Sequence, residues 1–242
     1  MKKTIGILGG MGPEAGVHML ELIIKNTKAE KDQDHIPVIL YSNPKIPPRT
    51  DAILKKGSDP TPQLIEGFKL LKHAGADFII MPCVTAHYFY NRIKEEIDFP
   101  FLNILDEILK WTNENFPELK KAGLISSTGT IKSGLFHKSF SRAGVDIITP
   151  TYREQNAIMK AIFGKQGIKA GYRSGLAKDI IINTATKLIG RGAEVIIAGC
   201  TEIPLVLNQE NITVPLIDPM KIIAEKSIRE AGYELKEKKI QT

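Results

Sequence analysis

Two cysteines, Cys83 and Cys200, stand where residue type and setting could do chemistry. Each closes a hydrophobic run: Phe78-Ile79-Ile80-Met81-Pro82-Cys83 and Val195-Ile196-Ile197-Ala198-Gly199-Cys200. Each is followed by a threonine and a helix start, Val84-Thr85-Ala86 and Thr201-Glu202-Ile203. In an open parallel sheet, ligands bind outside the carboxyl ends of the strands. Helix starts there present unpaired N–H groups that hold carboxylates and lower a thiol's pKa from about 8.5. Two opposed thiols, one ionised and one protonated, would take a proton from one face of an α-carbon and return it to the other. That is racemisation. Two buried small hydrophobes, or a disulfide, fit the same residues.

The elements that must position these thiols form an internal repeat. Gly6 matches Gly123, Gly12 matches Gly129, Gly75-Ala76-Asp77 matches Gly192-Ala193-Glu194 and Cys83 matches Cys200, always at an offset of 117. One register held without gaps means two copies of one supersecondary plan. Asp98-Phe99-Pro100-Phe101-Leu102 also resembles Ile212-Thr213-Val214-Pro215-Leu216. Short β-branched runs alternate with amphipathic stretches, which predicts an α/β fold of two similar parallel-sheet halves related by a pseudo-twofold axis. The ligand cleft falls between them. Strands are expected at 4–8, 37–41, 77–81, 122–125, 145–148 and 194–198, with short ones at 99–103 and 214–217. Helices are expected at 13–28, 63–73, 86–96, 106–115, 132–142 and 175–191. The first half is residues 1–103, completed by a C-terminal helix within 218–242, and the second is 104–217. The long Pro- and Gly-rich stretch 43–62 reads as a functional loop.

At 242 residues, 43% hydrophobic and 25% charged, the chain reads as an ordinary globular protein. Its net charge of +6 arises from lysines interleaved with glutamates, as in Lys94-Glu95-Glu96 and from Glu230 to Lys239. Such runs are solvated helix faces, so no nucleic-acid partner is expected. A mild positive excess suits an anionic substrate. The first apolar run is too short for a signal or membrane segment, and two cysteines fit a reducing compartment, so a cytoplasmic setting is expected.

Other residues compete less well. His87 follows Cys83 by four residues, yet Pro204 occupies its repeat position, so a packed or capping histidine fits better than a Cys–His nucleophile. The remaining histidines show no ligand spacing, and no metal is expected. Gly10-Met11-Gly12 with Gly16 imitates a dinucleotide loop, but the next strand, Val38-Ile39-Leu40-Tyr41-Ser42-Asn43, ends without the acid that grips ribose.

Gly6-Ile7-Leu8-Gly9-Gly10-Met11-Gly12-Pro13-Glu14-Ala15 resembles the N-terminal signature of the aspartate/glutamate racemases. Pro82-Cys83-Val84-Thr85-Ala86-His87 and Ala198-Gly199-Cys200-Thr201-Glu202-Ile203-Pro204 resemble that family's two catalytic motifs. The resemblance implies a two-domain α/β enzyme without pyridoxal phosphate, other cofactor or metal, acting as a homodimer on a small acidic amino acid. It makes Cys83 and Cys200 the acid/base pair. Thr85 and Thr201 would hold the α-carboxylate and amino group, with Met11, Val84, Ser127 and Glu202 also in the substrate-binding set. Arg49 and Lys165 match positions that grip a distal carboxylate, which favours aspartate over glutamate. Val84 departs from the asparagine usual after the first cysteine and removes a polar contact. A maleate isomerase or decarboxylase using the same pair, and a cytoplasmic amino-acid-binding protein, are the alternative readings.

Overall fold

The computed structural model describes residues 2–237; Lys238 and Lys239 of the charged tail lie outside them. Two parallel sheets form the frame. The first has order β2-β1-β3, from β1 (Ile5–Gly9), β2 (Val38–Ser42) and β3 (Phe78–Ile80). The second has order β5-β4-β6-β7, from β4 (Lys121–Ile125), β5 (Asp146–Ile148), β6 (Val195–Ala198) and β7 (Leu216–Ile217). Register pairs Ile5 with Val38 and Phe78 in one sheet, and Ala122 with Ile147 and Val195 in the other. The two sheets thus repeat one strand order, as the 117-residue offset requires.

Repeated residues make repeated contacts. The Thr4 N–H donates to Asp77 Oδ2 at 2.6 Å, and 117 residues on the Lys121 N–H donates to Glu194 Oε1 at 3.0 Å. A side-chain carbon on Gly6 would come within 2.9 Å of Ala76 Cβ, and one on Gly123 within 3.0 Å of Ala193 Cβ. Glycine and alanine recur together because strand and neighbouring turn approach closely. The Ile79 N–H donates to the Pro100 carbonyl and the Ile196 N–H to the Pro215 carbonyl, both at 2.9 Å. The expected strand at 99–103 is reduced to a single parallel bridge, Ile79 with Phe101. Pro100 has no N–H to extend the ladder.

The helices are α1 (Pro13–Asn26), α2 (Arg49–Ile53), α3 (Thr61–His73), α4 (Tyr90–Glu96), α5 (Ile104–Asn115), α6 (Thr128–Ser133), α7 (Leu135–Phe140), α8 (Tyr152–Phe163), α9 (Leu176–Gly190) and α10 (Pro219–Glu230). Pro13 opens α1, where a missing N–H costs nothing. The expected helix 86–96 is instead a 3₁₀ turn, Val84–Phe89, followed by α4. The expected helix 132–142 is broken into α6 and α7 by Gly134, whose φ of 66° only glycine adopts readily. Helix α8 was not expected. Its capping box, Thr151 with Glu154, was the signal to read.

One continuous core crosses both units, with Ile5, Ile7 and Phe78 packed in the same cluster as Leu124, Val195 and Ile197. Helix α10 buries Ile222, Ile223 and Ile228 in that cluster and packs on α1 and α5. Each such side chain is worth roughly 1.5–3 kcal/mol. Beyond α10 the Lys28 N–H bonds the Glu234 carbonyl at 2.9 Å and the Lys236 N–H bonds the Asn26 carbonyl at 2.8 Å.

Candidate active site

Strands β3 and β6 are equivalent, so their exits carry Cys83 and Cys200 to the same edge of the two sheets. The two thiols line one cavity of about 370 Å³. Both are free, Cys83 buried and Cys200 partly so. The cavity also takes Met11 from the glycine loop, Val84 and Thr85 after the first cysteine, Ser127 from the start of α6, and Thr201 with Glu202 after the second.

The loops reach across. A side-chain carbon on Gly129, in the second unit, would approach Thr50 Cα of the first at 2.9 Å. One on Gly12, in the first unit, would lie 3.0 Å from Lys169 Nζ of the second. These repeat-related glycines therefore admit each unit's loop onto the other unit. Gly10, with φ of 95°, has no room for a side chain against the backbone of Asn43.

The surroundings of the two thiols differ. Thr85 joins a buried hydroxyl cluster, 2.7 Å from Thr130 Oγ1 and 3.3 Å from Ser127 Oγ, which ties the first unit to the start of α6. The residue 117 further on is Glu202, only 5% exposed. Its Oε2 accepts from the Cys200 thiol at 2.9 Å and from the Thr201 hydroxyl at 3.0 Å, while its Oε1 is ion-paired with Lys169. Burial, reinforced by the Glu202 carboxylate and opposed by Lys169, holds the Cys200 thiol well above its ordinary pKa.

Arg49 opens α2 and lines the cavity. It donates to the carbonyls of Ile46, Pro47 and Met11 at 3.1, 3.0 and 3.3 Å, and its Nε has no partner. Those carbonyls aim the guanidinium without neutralising it. Lys165 lies exposed in the turn after α8 and does not line the cavity. The lysine that does is Lys169, fixed beside fully buried Ile168 in the 3₁₀ turn Ile168–Ala170. The family resemblance pointed to Lys165, and sequence reasoning missed the lysine anchored by an apolar neighbour. It also missed Met159 and Phe163 of α8, and Thr50 and Asp51 of α2, all of which line the cavity.

His87 is buried apart from this chemistry. Its Nδ1 bonds the Cys83 carbonyl at 3.1 Å, and its Nε2 accepts from the Ile104 N–H at 3.3 Å. Burial lowers its pKa to about 4, so it is neutral, with the proton on Nδ1. Among the described residues, no group of three or more His, Cys, Asp or Glu side chains gathers as a metal site. No helix among them is long and apolar enough to cross a membrane.

Two parallel α/β units of one plan each give one thiol to a shared cavity, which defines a pseudosymmetric α/β protein with its candidate ligand site between equivalent halves. The model of the Asp/Glu/Hydantoin racemase family matches residues 8–226, and the chain belongs to that racemase family. It is 29% identical over 230 residues to the broad specificity amino-acid racemase RacX of Bacillus subtilis, covering 93% of this chain and 96% of that one. The structure of a Picrophilus torridus aspartate racemase superposes with a TM-score of 0.84 at 28% identity, covering 97% and 96% of the two chains. An aspartate racemase homologue from Pyrococcus horikoshii shares the fold, with a TM-score of 0.72 at 22% identity over 96% of this chain and 100% of that one.

Proposed function

We propose that the protein racemises a small acidic amino acid, aspartate ahead of glutamate, by a two-thiol mechanism without cofactor. The observation that carries this reading is that Cys83 and Cys200, from equivalent strand ends, line one cavity. The Cys83 thiolate takes the α-proton from one face to become a thiol, and the electron pair of the broken Cα–H bond delocalises into the substrate's α-carboxylate. The Cys200 thiol then delivers its own proton to the opposite face. The charge moves from Cys83 to Cys200, and the reverse reaction runs from that state. Thr85, Ser127 and Thr201 offer hydroxyl lone pairs and donors around the α-carboxylate and amino group.

Arg49 takes the distal carboxylate, since no acid of the protein is ion-paired with it among the described residues. Lys169, in place of Lys165, is the second cation, and it must be shared with Glu202. That sharing favours a second reading, a broader substrate range. Lys169 is already neutralised, and Val84, Met159 and Phe163 give the cavity an apolar wall. A homodimer in the cytoplasm, with halves 1–103 plus 218–242 and 104–217, completes the proposal; the packing of α10 on α1 supports that division.

The test is α-hydrogen exchange in deuterated water together with polarimetry on enantiopure aspartate, glutamate, alanine and maleate. Racemisation should vanish in Cys83→Ala and in Cys200→Ala. Near-normal racemisation in both would overturn the two-thiol mechanism. Equal turnover of alanine and aspartate would establish the broad range, and turnover of maleate alone would reject racemisation. Sedimentation of the purified protein tests the dimer.

A further inference from the structure

A second cavity, of about 380 Å³, lies beside the 3₁₀ turn that follows Cys83 and is as large as the catalytic one. The start of α4 and the start of α5 give it Asn91 and Asp106, and the segment from α7 onward gives it Lys138, Ser139 and Arg142. Among the described residues none of Lys138, Arg142 and Asp106 has an ion-pair partner. Ser139 is only 8% exposed and its hydroxyl has no protein partner. That hydroxyl, on an otherwise buried residue, is open to the cavity and available to a ligand there.

We propose that this cavity is a second ligand site, for a small dicarboxylic α-amino acid. Two cations and one carboxylate, none of them spent on the protein, complement two carboxylates and one ammonium. Ser139 and the Asn91 amide supply the neutral hydrogen bonds that orient such a ligand. The volume matches that of the cavity already assigned to an amino acid. His87 forms part of the wall and bonds the Cys83 carbonyl, so an occupant stands one side chain from the first thiol's turn. The ligand class follows from this cavity's own charges, whatever the catalytic cavity turns over.

Equilibrium dialysis of labelled L-aspartate against Cys83→Ser/Cys200→Ser protein, which cannot consume it, tests the site. Two equivalents should bind. Lys138→Gln/Arg142→Gln should weaken one of them by about tenfold or more, while Arg49→Ala weakens the other. Succinate, lacking the ammonium, should compete for the Lys138–Arg142 site less well than aspartate. A single equivalent that survives Lys138→Gln/Arg142→Gln would overturn the proposal, as would the absence of binding. Succinate competing as well as aspartate would remove the role of Asp106 and with it the amino-acid assignment. One equivalent lost with Lys138 and Arg142 but untouched by Arg49→Ala would support this site while rejecting the assignment of aspartate to the catalytic cavity.

Discussion

The Cys200 thiol donates to Glu202 Oε2 at 2.9 Å, and the repeat position of Glu202 beside Cys83 is held by a threonine, Thr85. The pair is therefore unequal at rest. An acid next to Cys200 disfavours its thiolate, and Lys169, ion-paired with the other carboxylate oxygen, opposes that effect. The groups facing Cys200 are Glu202 and Lys169 beside it, with Cys83, Arg49 and Asp51 elsewhere on the cavity wall.

From this inequality, iodoacetamide should modify Cys83 well before Cys200 near neutral pH, read as peptide masses over time. Glu202→Gln keeps a hydrogen-bond acceptor but removes the charge, so the Cys200 pKa should fall and its alkylation quicken by about tenfold, the equivalent of one pKa unit. Lys169→Ala should act in the opposite direction, because the cation is the group that lowers it. Equal reactivity of the two thiols in the unaltered protein would contradict the poise of the pair.

The cations make a second prediction. A charge-assisted contact to a carboxylate is worth about 1.5–3 kcal/mol, so Arg49→Ala should cost roughly tenfold to a hundredfold in kcat/KM for aspartate. Lys169→Ala should cost less than Arg49→Ala, because that cation is shared with Glu202, and Lys165→Ala, exposed outside the cavity, should leave kinetics unchanged. Loss of activity on replacing Lys165 would return the role to that residue.

How far the sequence reached follows from which signals are local. The repeat identified equivalent strand ends, and with them both thiols, because glycine, alanine and acid recur wherever strand and turn meet closely, as at Gly6 with Ala76 and Gly123 with Ala193. It did not reach the cross-unit loops. Whether Lys165 or Lys169 enters the cavity depends on where Ile168 is buried, which is a tertiary fact. Likewise Gly134 looks like any helix glycine until its positive φ splits α6 from α7.

Gly129 gives a third prediction. A methyl group there would press on Thr50 of α2, the helix that begins with Arg49. Gly129→Ala should displace that helix and raise KM for aspartate, with a stability loss of about 1–3 kcal/mol by thermal or urea unfolding. Gly190, at the end of α9 with nothing within 4 Å, is the control. Gly190→Ala should leave KM unchanged and stability equal or raised by up to about 1 kcal/mol. An unchanged KM in Gly129→Ala would show that α2 does not depend on this contact to hold Arg49.

His87 carries the last prediction. Its imidazole fastens the Cys83 carbonyl to the N–H of Ile104, using the proton on one nitrogen and the lone pair on the other. Protonation would destroy the acceptor and leave a buried charge, which is why burial lowers the pKa to about 4 from an unfolded value near 6.5. Between these values the unfolded chain binds the extra proton, so stability must rise with pH there. The stabilisation is complete above about pH 6.5 and is lost as the pH falls towards 4, by up to about 3 kcal/mol at 1.36 kcal/mol per unit. Urea unfolding at a series of pH values should show that slope, and His87→Gln should remove it while lowering stability at neutral pH, where the bridge is fully formed. Racemase activity should fall in the same variant, because the turn that presents Cys83 loses its tie to α5. A His87 ring titrating near 6.5 by nuclear magnetic resonance would rule out the neutral bridge.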